Sequence, residues 1–272
     1  HFFADTDPEK LGHKTLAVNL SDMAAMGATP KWALLAGALP DSDVAWLTAF
    51  ARGFYALADA HGVDLVGGDT TRGPLNLCVT IMGEVPEGQA LLRSGAKPGD
   101  DVYVSGALGD AALAVAAMTG RTRLDGDAFD AARARLETPE PRIALGHALR
   151  GVATAAIDVS DGLVGDLAHI LERSVVGATV ELLAIPRSPA LARLVGGAER
   201  ALALECLLAG GDDYELCFTA PRAAADRVAA IAASTQLPVA RIGTITEGPG
   251  LVVRDERGVP LPAVPRAFDH FA

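Results

Sequence analysis

Leu16, Leu20 and Met23 recur at helical intervals, so residues 10–26 read as a helix with one apolar stripe, stopped by Gly27. Pro30 then introduces an apolar run, 32–39, that reads as a strand ended by Pro40. Asp41 and Ser42 offer caps for a second helix, in which Leu47, Phe50, Phe54 and Leu57 repeat at helical spacing until Gly62. Residues 63–66 are a short buried strand running into Gly67-Gly68-Asp69. Across 75–85, Leu75, Leu77, Val79 and Ile81 fall on one face of a further strand. Together these elements make an α/β block of about ninety residues, the size of a small domain.

Pro86-Glu87-Gly88 and the Gly/Pro-rich stretch 95–100 are breaks, and the domain boundary is expected between them, giving domains 1–90 and 91–272. In the second domain, strand patterns at 101–105, 153–157, 178–183, 214–218, 239–245 and 251–254 alternate with helical ones, including 163–173 and 223–233. The fold class expected is α+β: two α/β-layered domains, the C-terminal one built on a mixed sheet.

Charge narrows the partners. Lys+Arg 23 against Asp+Glu 34 leaves a formal charge of −11. That balance argues against a broad nucleic-acid or anionic-membrane surface, and no apolar run approaches the ~18 residues of a membrane span. Anionic substrates stay open, because divalent cations reverse the local sign. Cys78, Cys206 and Cys217 are an odd trio without C-x-x-C spacing, expected to be inert buried thiols in a reducing, cytoplasmic compartment. The chain opens at His1 rather than Met, inside what reads as a continuing strand or loop, so a preceding segment is expected.

The acids carry the chemical signal. Asp69, Asp158, Asp161, Asp212 and Asp213 all stand beside Gly or Ser at expected strand–loop junctions. Adjacent glycines let backbone approach a ligand, and Mg²⁺ commonly bridges one or two carboxylates to substrate phosphates. The plain alternative for each Gly-Gly-Asp is a tight turn. Asn19 and Asp22 share a face of the first helix at i, i+3, where Asp is a poor interior residue; it is either solvated or directed at the same metal cluster. Gly106-x-x-Gly109-Asp110 follows a strand and opens a helix, so it is either a phosphate cradle or an ordinary cap. There is no P-loop, no protein-kinase motif set, no zinc spacing and no G-x-S-x-G.

Taken in order, residues 14–28 (Lys-Thr-Leu-Ala-Val-Asn-Leu-Ser-Asp-Met-Ala-Ala-Met-Gly-Ala), 67–73 (Gly-Gly-Asp-Thr-Thr-Arg-Gly), 92–100, 158–163 (Asp-Val-Ser-Asp-Gly-Leu) and 210–216 resemble the thiamine-monophosphate kinase family, within the aminoimidazole ribonucleotide synthetase-like superfamily. The resemblance implies ATP-dependent phosphorylation of thiamine monophosphate to thiamine diphosphate, several Mg²⁺ ions, and N-terminal domains pairing in a homodimer. Carried over by motif, it implies Asp22, Asp69, Asp158 and Asp161 as Mg²⁺ ligands. Gly68, Asp69, Arg93 and Ser160 would contact ATP, and His1, Asp212 and Phe268 would line the thiamine-phosphate pocket. It implies direct in-line transfer with no covalent nucleophile. The family pattern also has an upstream Gly-Asp-Asp and a Thr-Asp before His-Phe, which this sequence does not include, and Asp212 stands where many relatives have Glu. Another acceptor within the superfamily, or a non-catalytic nucleotide-binding or dimerisation module, are the competing readings.

Overall fold

Asp7 starts the first helix: its carboxylate accepts the amide protons of Glu9 (2.9 Å) and Lys10 (3.1 Å), and Pro8 takes a position that needs no amide donor. In the computed structural model, which describes residues 2–265, this helix (α1) covers Pro8–Ala25. Helix α2, Val44–His61, is capped by Asp43 rather than by the expected Asp41 or Ser42, since the Asp43 carboxylate reaches the Ala45 and Trp46 amides. The two helices cross at glycines. A Cβ on Gly12 would stand 2.0 Å from the Phe50 carbonyl oxygen, and one on Gly53 1.8 Å from that of Glu9.

Three strands form the first sheet in the order β2-β1-β3: β1 (Thr29–Leu39) pairs parallel with β2 (Asp64–Arg72) and antiparallel with β3 (Asn76–Glu84). Strand β1 includes Pro30, tolerated where the register shifts between Pro30 and Trp32. Strand β2 runs through Gly67-Gly68-Asp69 to Arg72, so Asp69 lies within a strand and not at a strand–loop junction. Its pairing with β1 continues because Gly68, at φ 148°, lets backbone pass where a Cβ would stand 1.9 Å from the Leu35 carbonyl oxygen. On β3 the alternation turns Leu77 and Val79 toward the helices and Cys78 outward. Cys78 is therefore exposed, against expectation, while Cys206 and Cys217 are buried.

Among the described residues the second sheet has six strands in the order β5-β7-β4-β8-β6-β9. These are β4 (Asp100–Ser105), β5 (Ala155–Val159), β6 (Gly177–Glu181), β7 (Glu215–Pro221), β8 (Val239–Thr246) and β9 (Gly250–Arg254). All pairs are antiparallel except β6–β9, so the expected α+β class with a mixed second sheet is what the chain adopts. Helices α3 (Asp110–Met118), α4 (Gly126–Glu137), α5 (Ile143–Ala148), α6 (Leu163–Ser174), α7 (Pro189–Val195), α8 (Arg200–Ala209) and α9 (Ala225–Thr235) complete the fold.

Alternation divides the second sheet between two cores. Val102, Val104 and Cys217 pack with Leu167 and Ile170 of α6, while Tyr103, Leu216 and Phe218 pack with Leu16 and Leu20 of α1 and with Leu145. Leu16 and Leu20 are fully buried, each contributing ~1.5–3 kcal/mol of apolar burial. Among the described residues, no helix is long and apolar enough to cross a membrane.

Candidate active site

Strand β5 delivers Asp158 beneath α1, where Ser21 donates its hydroxyl proton to the carboxylate across 2.7 Å. Asp22 is next on the helix. Burial pushes the Asp158 pKa up to about 6; the Asp22 charge adds to the rise, while the Ser21 bond and the Arg93 charge oppose it. Burial also raises Asp22, again opposed by Arg93. Arg93 is brought near both acids because its segment is laced to both elements: the Leu91 amide donates to the Met26 carbonyl at the end of α1 (3.0 Å), and the Ala156 amide of β5 donates to the Leu92 carbonyl (2.9 Å).

The turn leaving β5 is shaped by Asp166, in the first turn of α6. One oxygen of its buried carboxylate accepts the amide protons of both Ser160 and Asp161, each at 3.0 Å. Burial drives Asp166 up to about 7, and the charges of Asp158 and Asp161 push in the same direction.

Asp212 and Tyr214 take left-handed backbone at φ 68° and 50°, a conformation that costs of order 1 kcal/mol or more per non-glycine residue and persists here under several bonds. The Asp212 and Tyr214 amides donate to the Ser160 and Val159 carbonyls, both at 2.8 Å. The Asp212 carboxylate accepts from Lys14 (3.1 Å) and from the Tyr214 hydroxyl (2.8 Å). Its neighbour Asp213 does structural work instead. Fully buried and with its pKa driven up by that burial, Asp213 accepts the Gly109 amide on both oxygens at 2.9 Å. The Gly106–Asp110 turn is thus occupied as a helix cap, not as a phosphate cradle. Glu215 follows, its buried carboxylate accepting from Ser105, Arg135 and Arg142.

These elements enclose a cavity of about 660 Å³. Lys14, Ser160, Asp161 and Asp212 form its polar wall; Phe3, Ala112, Val115, Leu136 and Cys206 supply apolar lining. Arg121 and Glu205, joined by two bonds of 2.9 and 2.7 Å, also border it.

The residues singled out from sequence therefore fall into two groups. Asp22, Arg93 and Asp158 cluster, and Ser160, Asp161 and Asp212 line the adjoining cavity. Gly68 and Asp69 belong to the other sheet. Asp69 pairs in register with Ala36, which pairs with Cys78, so the three share that sheet's outer face. Its carboxylate accepts the Thr70 amide at 2.9 Å, and a second cavity of about 670 Å³, lined by Trp46 and Phe50, reaches Gly68 and Asp69. Among the described residues no hydrogen bond or ion pair joins Asp69 to Asp22 or Asp158. His1 and Phe268 lie outside the described residues. The sequence pattern does not single out Lys14, Asp166 or Glu215; Lys14 and Glu215 stand within the quoted segments 14–28 and 210–216, and Asp166 only a turn beyond Asp161, the one signal available for each.

Among the described residues no three acids, histidines or cysteines converge into a metal cage. The Asp22–Asp158 pair nevertheless suits Mg²⁺: both are hard oxygen donors, their mutual repulsion is already felt in the Asp158 pKa, and Mg²⁺ is often held by two carboxylates with substrate phosphates supplying further oxygens.

Comparison with known proteins places this geometry in context. Residues 1–85 match the family model for the N-terminal domain of AIR synthase related proteins, and residues 97–256 the model for their C-terminal domain. The chain is 45% identical over 277 residues to the thiamine-monophosphate kinase of Salmonella typhimurium, covering all of this chain and 83% of the relative. A crystal structure of thiamine-monophosphate kinase from Stenotrophomonas maltophilia superposes with a TM-score of 0.89 at 49% identity, over 96% of this chain and 82% of that one. A structure described as AaThiL complexed with AMPPCP and TMP superposes at 0.85 with 31% identity, over 100% of this chain and 83% of that one. With two domain models matched in order and a likeness of this depth along its whole length, the chain belongs to the thiamine-monophosphate kinase family.

Proposed function

We propose that this chain transfers the γ-phosphoryl group of ATP to the phosphate of thiamine monophosphate, giving thiamine diphosphate and ADP. The observation that carries the reading is one juxtaposition: the Asp22–Arg93–Asp158 cluster adjoins a cavity with an acidic polar wall and an apolar lining. Such a cavity suits a cationic heteroaromatic ring with a phosphate at one end. An acceptor phosphate oxygen bonds to the γ-phosphorus as the bond to the β–γ bridging oxygen breaks, and the electron pair leaves with ADP.

The chain's own groups position and neutralise. Arg93 and Ser160 are assigned to ATP, Arg93 as a guanidinium on phosphate oxygens, with Gly68 and Asp69 contributing from the first sheet. Asp212 is assigned to the thiamine phosphate pocket. Asp22, Asp69, Asp158 and Asp161 are assigned to hold Mg²⁺, which when bound screens the repulsion between the two anionic substrates. A covalent intermediate is not part of the reading: burial pushes Cys206 up to about 12 and raises Cys217 as well, away from reactive thiolates.

Homodimer pairing through the first sheet is part of the proposal, supported by Trp32, Leu34 and Met82, which stand 37–41% exposed on its outer face. So is a cytoplasmic setting.

The test is ADP formation by the protein with ATP and Mg²⁺, offering thiamine monophosphate, an aminoimidazole precursor or selenide as acceptor. Turnover with thiamine monophosphate alone is expected; turnover with either of the others instead would overturn the reading, and nucleotide binding without any turnover would favour a non-catalytic module.

A further inference from the structure

Among the described residues lining the cavity beside Ser160 and Asp212, two carry a positive charge, and they are differently committed. Arg121 is half exposed and doubly bonded to Glu205. Lys14 is the opposite case. It projects from α1 with its side chain only 9% exposed, and its ammonium donates to Asp212 at 3.1 Å.

A lysine ammonium carries three donors, and taking it out of water is costly unless it is both paired and hydrogen-bonded. Among the described residues, Asp212 accepts one of those donors. Asp212 is itself fixed: the Tyr214 hydroxyl holds its carboxylate, and its amide is bonded to Ser160. Lys14 is thus held in place by one acid, with donors left over, beside Ser160 and Asp161 on the cavity's polar wall. That arrangement matches an anion, not a neutral hydroxyl.

We infer that Lys14 contacts the phosphate group of the acceptor and is the residue by which this site distinguishes a phosphorylated acceptor from the corresponding alcohol. The inference rests on the proposed reaction and deepens it. The apolar lining takes the ring system, Asp212 holds the ammonium, and the ammonium neutralises the phosphate while leaving its remaining oxygens free to attack.

The test compares thiamine monophosphate with unphosphorylated thiamine as ligands of the protein, by calorimetric titration, in the wild type and in Lys14→Gln and Lys14→Met. Lys14 on the phosphate predicts a loss of roughly tenfold or more in monophosphate affinity, with thiamine affinity held within about twofold. The KM for thiamine monophosphate should rise by a similar factor while that for ATP stays within about twofold. A merely structural lysine would weaken both ligands alike, and that result, or retention of the wild-type preference, overturns the assignment. Should the single variants fail to fold by circular dichroism, Lys14→Met combined with Asp212→Asn removes both members of the ion pair. A folded double variant that still prefers the monophosphate overturns the assignment equally. A wild type that binds neither thiamine compound defeats the proposed reaction, and this assignment with it. A wild type that binds both, with variants of unchanged preference, defeats this assignment alone.

Discussion

Ser21 and Asp158, 137 positions apart in sequence, meet in a 2.7 Å hydrogen bond that fastens α1 to the end of β5. Because that bond lowers the Asp158 pKa against the pull of burial, Ser21→Ala should raise it further from about 6. In the metal-free protein the Asp158 carboxyl, followed by NMR titration, should lose its proton at higher pH than in the wild type, with a loss of stability of about 1–2 kcal/mol. An Asp158 titration superimposable on the wild type would show that the Ser21 bond does not govern its ionisation.

Glu215 is completely buried among Arg135, Arg142 and Ser105. Glu215→Ala leaves two largely buried guanidinium groups without their shared acid and should cost about 3–5 kcal/mol in urea unfolding. A cost below about 1 kcal/mol would mean the arginines find other partners.

At the α1–α2 crossing, backbone touches backbone. Gly12→Ala and Gly53→Ala each force a methyl into a carbonyl oxygen at 2.0 Å or less, so the helices must separate. A loss of at least about 1–3 kcal/mol in chemical denaturation is expected, with Gly62→Ala a control of different origin: its cost is strain at φ 63° with open space around the added methyl.

His147 donates to the Ala28 carbonyl at 3.0 Å, and burial, with Arg150 nearby, lowers its pKa from 6.5. Below that value the unfolded chain takes up a proton the folded one resists, so stability is lost as pH falls through 6.5 toward the folded pKa. His147→Gln should flatten the fall in melting temperature between roughly pH 7.5 and 5.5 relative to wild type. An equally steep fall in the variant would assign the pH dependence elsewhere.

Local periodicity was enough for the helices and for the inner face of β3, because spacings of 3.6 and 2 are written directly into Leu16, Leu20 and Met23 and into Leu77, Val79 and Ile81. It failed where pairing overrode composition. Gly67-Gly68-Asp69 has the composition of a turn, yet it lies in a strand because β1 runs alongside it and Gly68 clears the Leu35 carbonyl. The acids were visible as residues beside glycine, but their division of labour was not. Asp212 and Asp213 are neighbours in sequence and point to opposite tasks, one bonded to Lys14 across 198 positions and the other to the Gly109 amide across 104. Only the folded path of the chain brings those partners together.

Helix α1 lies in one continuous apolar core with α2, with Tyr103 and Phe218 of the larger sheet, and with Leu145. A chain severed near residue 90 would therefore strip Tyr103, Leu216 and Phe218 of their cover, and each fragment would present a bare apolar face. The same shared helix is expected to couple the melting of the two sheets, so that a substitution on the buried side of α1 is transmitted to both halves of the molecule at once.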